Sequence, residues 1–500
     1  MSKTAANGEQ ERKHLLDTVV AGGYCVGCGA CAAVEGSGLA MGLNESGQYE
    51  PAVTGPAQAS GLQRVCPFSD QASNETAIAQ RLFGSYATWH DKLGYHLSCY
   101  AGFVQEGEFR DHGSSGGLGK WIGYELMRKG LVDAVVQVVA QPPSNSDGVL
   151  YRYAVTRDLE ATKHASRSVY YPVELSEVVR EMKEHEGCYA VVGVPCFIKA
   201  LRLLAARDSV LAERLGFAIG LVCGHLKSTF YAEMLAWQDG IEPGALRGVD
   251  FRKKYPGATA KQKGMEFTRI QDAREVRTGD IVQKYFGTDY SLGLFKYNAC
   301  DYCDDVVAET ADVVVGDAWL PEYVEDGQGT NVLIVRRREV QDLIDEARAE
   351  GRLALDVLDT EAVVQSQAGG FRHRRDGLAY RLQLKDEAGD WRPTKRVAAR
   401  ADHLSLEGKR KFLLRLDLAE EGPGAYREAR RRGSFAYFQR RIERITRDHR
   451  NGDAYWPRFV RPLRQLLRFG RRARGGVARR VRRLPFVPST SQQPVSRSSQ

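Results

Sequence analysis

Four cysteines near the start of the chain constrain it most. They stand as Cys25-Val-Gly-Cys28-Gly-Ala-Cys31 and, later, Cys66-Pro67. Three thiolates at this C-x2-C-x2-C spacing wrap one side of an iron–sulfur cube, and a distant Cys-Pro supplies the fourth corner. Gly27 and Gly29 let the loop curl tightly, because glycine accepts backbone angles that other residues resist. A chain that folds around such a cube is built to move single electrons.

The chain has 500 residues and ten cysteines. Its first residues, MSKTAANGEQERKH, carry no apolar stretch of the kind a secretory signal needs. No run of eighteen uncharged apolar residues reads as a spanning helix. The expected compartment is therefore the cytoplasm, where thiols stay reduced and clustered cysteines favour metal over disulfides. The net charge is +8, but residues 461–483 alone hold ten arginines and no acidic residue. The rest is close to neutral, which argues against a nucleic-acid enzyme with a broad basic face. Within that segment Leu463, Leu466, Leu467 and Phe469 interleave with Arg464, Arg468, Arg471 and Arg472. Such a basic amphipathic stretch either lies on an anionic membrane surface or runs as a solvated charged tail.

The length implies two to four domains. Residues 1–85 read as a polar arm followed by a small cysteine-bearing domain of short elements. Residues 86–340 alternate strand and helix signals, which implies an α/β layer with a partly parallel sheet. Residues 341–460 become charged and helical. Residues 461–500 form the Arg-rich tail and a Ser/Gln/Pro-rich end expected to be disordered.

A second cysteine group lies in the α/β region. Cys196 follows a strand in Gly193-Val-Pro195-Cys, Cys223 ends another in Gly220-Leu-Val-Cys, and Cys300-Asp-Tyr-Cys303 is a C-x2-C loop. Strand ends converge on the functional edge of such sheets, so the four could hold a second cubane. A structural zinc, or two buried thiols beside an unrelated pair, is the competing reading. Cys99 and Cys188 fall on expected strands and read as core. Ser114, Ser115, Gly116 and Gly117 precede a helical run, where backbone N–H groups hold anions. Their spacing is neither a Walker loop nor a dinucleotide fingerprint, and taken alone it favours a plain capped turn. The run Asp250-Phe-Arg-Lys253-Lys either neutralises phosphates or is a solvated face. Asp317, just past a buried strand, faces a pocket or closes a turn. No residue is assigned a catalytic proton-transfer role.

Taken in order, these motifs resemble the coenzyme F420 hydrogenase/dehydrogenase beta-subunit family, from about residue 22 to 375. The resemblance also rests on Ser166-Arg-Ser168-Val-Tyr170 and Glu309-Thr-Ala-Asp-Val-Val-Val-Gly-Asp317-Ala-Trp. It implies an iron–sulfur flavoprotein oxidoreductase. The implied fold is α/β (α+β): a central mixed-sheet flavin domain, an N-terminal ferredoxin-like 4Fe-4S domain over residues 1–85 and a helical C-terminal extension. It implies FAD near Ser114, Ser115, Gly116, Gly117, Ser168, Tyr170, Gly193, Pro195, Lys253 and Asp317. Cys25, Cys28, Cys31 and Cys66 would ligate one cluster. Cys196, Cys223, Cys300 and Cys303 make the chain similar to two-cluster members such as 7-hydroxymethyl chlorophyll a reductase. The implied electron partners are the deazaflavin coenzyme F420 or ferredoxin, with a homo- or hetero-oligomer as the assembly. Relatives encoded beside exopolysaccharide-synthesis enzymes suggest a link to that chemistry. The alternatives are a zinc-stabilised scaffold, or an electron-transfer subunit without a substrate of its own.

Overall fold

The computed structural model describes residues 3–145 and 147–450. Residues 461–483, where the membrane-contact reading rests, and the Ser/Gln/Pro-rich end lie outside the described residues. Residues 1–447 form one compact unit. Among the described residues, no helix is long and apolar enough to cross a membrane.

Eight strands build the central sheet. In chain order they are β1 (Ser98–Val104), β2 (Ala134–Ala140), β3 (Tyr151–Thr156), β4 (Tyr189–Gly193), β5 (Leu215–Leu221), β6 (Val313–Asp317), β7 (Asn331–Val335) and β8 (Leu353–Val357). Their spatial order is β8-β1-β7-β6-β5-β4-β2-β3. The inner four, β6, β5, β4 and β2, run parallel. Antiparallel partners flank them on both sides. The fold is thus a mixed α/β sheet, as expected. The parallel strands are Val/Ile/Ala runs because helices cover both faces. On one face the helix Leu118–Arg128 sets Trp121, Ile122 and Leu126 against Val135, Ile219 and Leu333. On another, Pro195–Ala205 and Ser176–Glu184 pack against Val136 and Val191 and also touch the first cysteine loop.

The direction of β1 matters for the site. It is antiparallel to β7, which is antiparallel to β6. Its C-terminal end therefore opens on the same edge as the ends of β4, β5 and β6. The Gly113–Gly117 loop, the Pro195-Cys196 turn, Cys223 and Asp317 all emerge there.

A second, three-stranded antiparallel sheet spans Leu246–Lys253, Gly264–Gln271 and Arg274–Thr278. The C-terminal region is helical, with Gly377–Ala388, Leu406–Arg432 and Phe435–Arg450. Its Leu418, Tyr426 and Phe438 share a core with Phe230, Trp237 and Phe295.

Candidate functional site

The N-terminal cysteine loop follows a helical arm ending at Val20. Gly27 and Gly29 take φ of 66° and 81°, left-handed values that favour glycine. A Cβ on Gly29 would also stand 2.3 Å from the Glu174 carboxylate and 2.9 Å from the Ser176 amide. The loop is therefore pressed against the start of the Ser176–Glu184 helix, and the Leu175 amide donates to the Cys28 carbonyl at 3.0 Å. Cys66 follows the short helix Leu62–Val65. Burial pushes the thiols of Cys25, Cys28, Cys31 and Cys66 up, Cys28 to about 12, and for the first three neighbouring thiols add to the effect. All four expected ligands thus lie together.

The second quartet converges as well. Cys196, Cys223, Cys300 and Cys303 line one small cavity together with Val26, Phe68, Pro195, Leu226 and Arg374. Cys196 stands at the start of its helix after the Gly193–Pro195 turn, and Cys223 lies just beyond β5. The 3-10 turn Asn298–Tyr302 delivers Cys300, whose sulfur accepts from the Leu226 amide at 3.2 Å. Val26 sits between Cys25 and Cys28, and Phe68 is two residues past Cys66, so the loops of the first quartet wall the cavity of the second. Cys196 and Cys28 feel each other electrostatically. Among the described residues, no three His, Cys, Asp or Glu side chains are set to share a single metal ion. Cys99 is buried on β1, and Cys188 packs at the margin of the core; neither joins a quartet.

The glycine loop forms the other part of the edge. Gly117 has φ of 89°, and a Cβ there would lie 2.6 Å from the Phe109 carbonyl carbon. One on Gly116 would lie 2.5 Å from the Gly102 carbonyl oxygen. Asn331 fixes the following helix, accepting from the Leu118 amide at 3.1 Å. Ser115 is buried and donates to the Thr330 carbonyl at 2.9 Å. Ser114 accepts from the Ser168 amide at 2.6 Å, which ties the loop to the 166–170 segment. Tyr170 meets Tyr290, Phe251 and Tyr231 in an aromatic wall. Its hydroxyl accepts from Arg252 at 3.3 Å, and the same arginine pairs with Asp317 at 2.7 Å. The structure therefore gathers Ser114, Ser115, Gly116, Gly117, Ser168, Tyr170 and Asp317. Gly193 and Pro195 stand at the second quartet, and Lys253 turns away to Glu266.

Of the cations that face this loop, the sequence held Lys254 only within a basic run, with no sign of Lys263 or Lys120. Lys254 donates to the carbonyls of Ser115, at 2.9 Å, and Arg110. Lys263 donates to the Gly327 carbonyl at 2.7 Å, and Lys120 to the His112 carbonyl at 2.9 Å. Burial pushes all three ammonium groups down, Lys254 to about 7 and the others to about 8. Next in order, Lys263 and Arg110 repel Lys254, Arg252 repels Lys263, and Arg167 repels Lys120. Three lysines held by carbonyls, not carboxylates, leave the loop short of negative charge.

Comparison with known proteins fits this geometry. Residues 99–180 match the family model for the N-terminal part of the coenzyme F420 hydrogenase/dehydrogenase beta subunit, and residues 187–361 match the model for its C terminus. The chain belongs to the coenzyme F420 hydrogenase/dehydrogenase beta-subunit family. Membership makes it a redox or electron-transfer protein of the beta-subunit kind, from a family associated with iron–sulfur clusters. The matched stretches hold the glycine loop and the second quartet, whereas the N-terminal quartet lies before them. A chain from the xenon-derivatised F420-reducing NiFe hydrogenase complex of Methanosarcina barkeri is similar at 14% identity and a TM-score of 0.44. That similarity covers 61% of this chain and 97% of that one. No curated protein matches.

Proposed function

We propose that this beta-subunit relative is an iron–sulfur flavoprotein with two 4Fe-4S sites and one FAD site, exchanging hydride with deazaflavin F420 or an organic substrate. The reading rests above all on the second quartet: four cysteines from three separate loops close around one cavity at the sheet edge. The thiols fit the group, because soft sulfur donors select iron–sulfur clusters and, among the described residues, the only charged side chain lining the cavity is a cation. The glycine loop fits a pyrophosphate, because it leads into the N-terminus of the Leu118–Arg128 helix and lysines that donate to carbonyls surround it. When bound, the flavin would supply two-electron chemistry and the clusters one-electron chemistry.

The chain's own residues supply the rest. Cys25, Cys28, Cys31 and Cys66 would hold one cluster, and Cys196, Cys223, Cys300 and Cys303 the other. The Leu226 amide hydrogen bond to Cys300 stabilises negative charge on sulfur, as such bonds do at cluster sites. Lys254, Lys263 and Lys120 would take the phosphates, with Ser114 and Ser168 setting the loop's outer wall. Tyr170, bonded to the Arg252 that pairs with Asp317, packs on Tyr290, which stands near Cys223 and Cys300, so these groups would line the path from loop to quartet.

Anaerobic purification with iron, sulfide and flavin quantitation tests this. About eight irons and one FAD per chain are expected, because each cubane holds four irons. About four irons would empty one quartet. A colourless zinc protein without flavin would overturn the proposal and favour a scaffold.

A further inference from the structure

Among the described residues, Arg374 is the one charged side chain lining the second cavity, and the proposed ligation does not use it. It lies beyond the family matches, which stop at residue 361. A π-helical turn, Arg372–Asp376, carries it; such turns widen the helix and often mark functional positions. The side chain is only 2% exposed. Its Nη2 donates to the Gly224 carbonyl at 2.9 Å, and its Nη1 donates to the Asp305 carbonyl. Its Nε has no partner. Among the described residues, no carboxylate stands within ion-pair reach of it.

An arginine is charged at any ordinary pH. A charge buried without compensation is costly enough that proteins pair it. The groups that face Arg374 are the four thiols. As thiolates around a cluster, they would be the missing counter-anion. The cations near the first quartet differ. Lys199 is paired with Glu75 at 3.0 Å, and Lys395 lies against Asp304 at 4.0 Å. Lys395 also stands near Cys303, where Asp304 and Asp305 oppose it. Arg374 is therefore the cation set directly in the second cavity, held by backbone carbonyls where Lys199 and Lys395 each have a carboxylate of their own.

We propose that Arg374 is the fixed countercharge of the second thiol quartet and raises the reduction potential of the centre bound there. The proposal rests on the two-cluster reading above. Gaining one electron makes the second centre more negative, and an adjacent guanidinium stabilises that state.

The test is an EPR-monitored potentiometric titration of the full chain, purified anaerobically. Cys303→Ser assigns the signal of the second centre. Arg374→Gln is expected to lower that centre's midpoint by about 59 mV or more, which is tenfold in a one-electron equilibrium. The N-terminal centre should stay put, and Arg374→Lys should restore the midpoint. Loss of the second centre alone from Arg374→Gln, with recovery in Arg374→Lys, also supports the countercharge. An unchanged midpoint, equal shifts of both centres, or loss from both variants overturns it. A wild-type count of about four irons would instead defeat the two-cluster reading itself.

Discussion

Lys253 and Lys254 are adjacent, yet they have opposite surroundings. Residues 246–253 form a strand whose register shifts between Asp250 and Lys253, and Lys254 follows its end. Asp250, Arg252 and Lys254 reach Arg167, Asp317 and the Ser115 carbonyl, while Lys253 reaches Glu266 across the sheet. The run Asp250-Phe-Arg-Lys-Lys is legible as a basic patch. Which lysine faces the glycine loop is not, because three consecutive charged residues mask the period of two that would reveal the strand. Lys254 also carries a pH prediction. Burial, then Lys263, Arg110 and Arg167, hold its ammonium near 7 against an ordinary 10.5, with Asp111 opposing them. The unfolded chain therefore binds more protons between those values. On this account the ligand-free fold gains stability as pH rises from about 7 towards 10.5, and loses it as pH falls back through 7. A pyrophosphate reverses the preference by rewarding the charged form. FAD binding to the flavin-free protein should take up protons at pH 8.5 and weaken as pH climbs above 7. Lys254→Met should flatten both effects. Calorimetry in buffers of different ionisation enthalpy reads the proton count, and pH-independent binding without uptake would refute the assignment.

At the scale of elements, the parallel core was easy to anticipate. Stretches such as Tyr189–Gly193 and Leu215–Leu221 are nearly continuous apolar runs, the signature of strands buried on both faces. The helix after the glycine loop was legible too, from its apolar periodicity and from Gly130 at its end. The three-stranded sheet at 246–278 was not, because its strands are short of apolar residues and one carries a bulge. The purpose of the glycines was also ambiguous in the sequence, where a capped turn and an anion cradle look alike. The fold itself reserves one of these positions for glycine: Gly117 is left-handed and pressed against the Phe109 carbonyl, whereas a methyl on Gly119, two residues on, would meet nothing within 4 Å. Gly117→Ala should therefore cost about 1–3 kcal/mol from backbone strain and abolish flavin retention. Gly119→Ala should stabilise the helix by about 0.5–1 kcal/mol and keep the flavin. Denaturant titration with flavin fluorescence compares the two, and equal losses would mean the loop is only a turn.

At the scale of the whole molecule, the two quartets are joined by a segment no motif announced. After the helix Gly377–Ala388 the chain returns to the N-terminal loops. Tyr24, beside Cys25, packs edge-on against Trp391 and Tyr302, and its hydroxyl donates to the Trp391 carbonyl at 3.1 Å. The Thr394 amide donates to Asp70 at 2.7 Å. Arg396 binds Glu309 at 2.6 Å, Asp304 at 3.3 Å and Glu75 at 3.5 Å. Those three carboxylates are buried and come from the C-terminal side of the C-x2-C loop and the start of the helix after Cys66. Such long-range pairing has no local sequence signal; it exists only once distant segments meet. Removing the arginine strands buried negative charge, which costs about 3–5 kcal/mol when a buried pair is broken. Arg396→Ala should therefore open the seam between both quartets and release iron from each, not from one. Deleting residues 461–500 should leave the iron and flavin content of the wild type, because the seam lies wholly upstream. If the Arg-rich segment meets an anionic membrane surface, the same deletion should abolish binding to anionic liposomes. Iron quantitation and liposome sedimentation on these two variants separate the roles. Full iron in Arg396→Ala would show that the quartets stand without the clasp, and liposome binding that survives the deletion would dismiss the membrane contact.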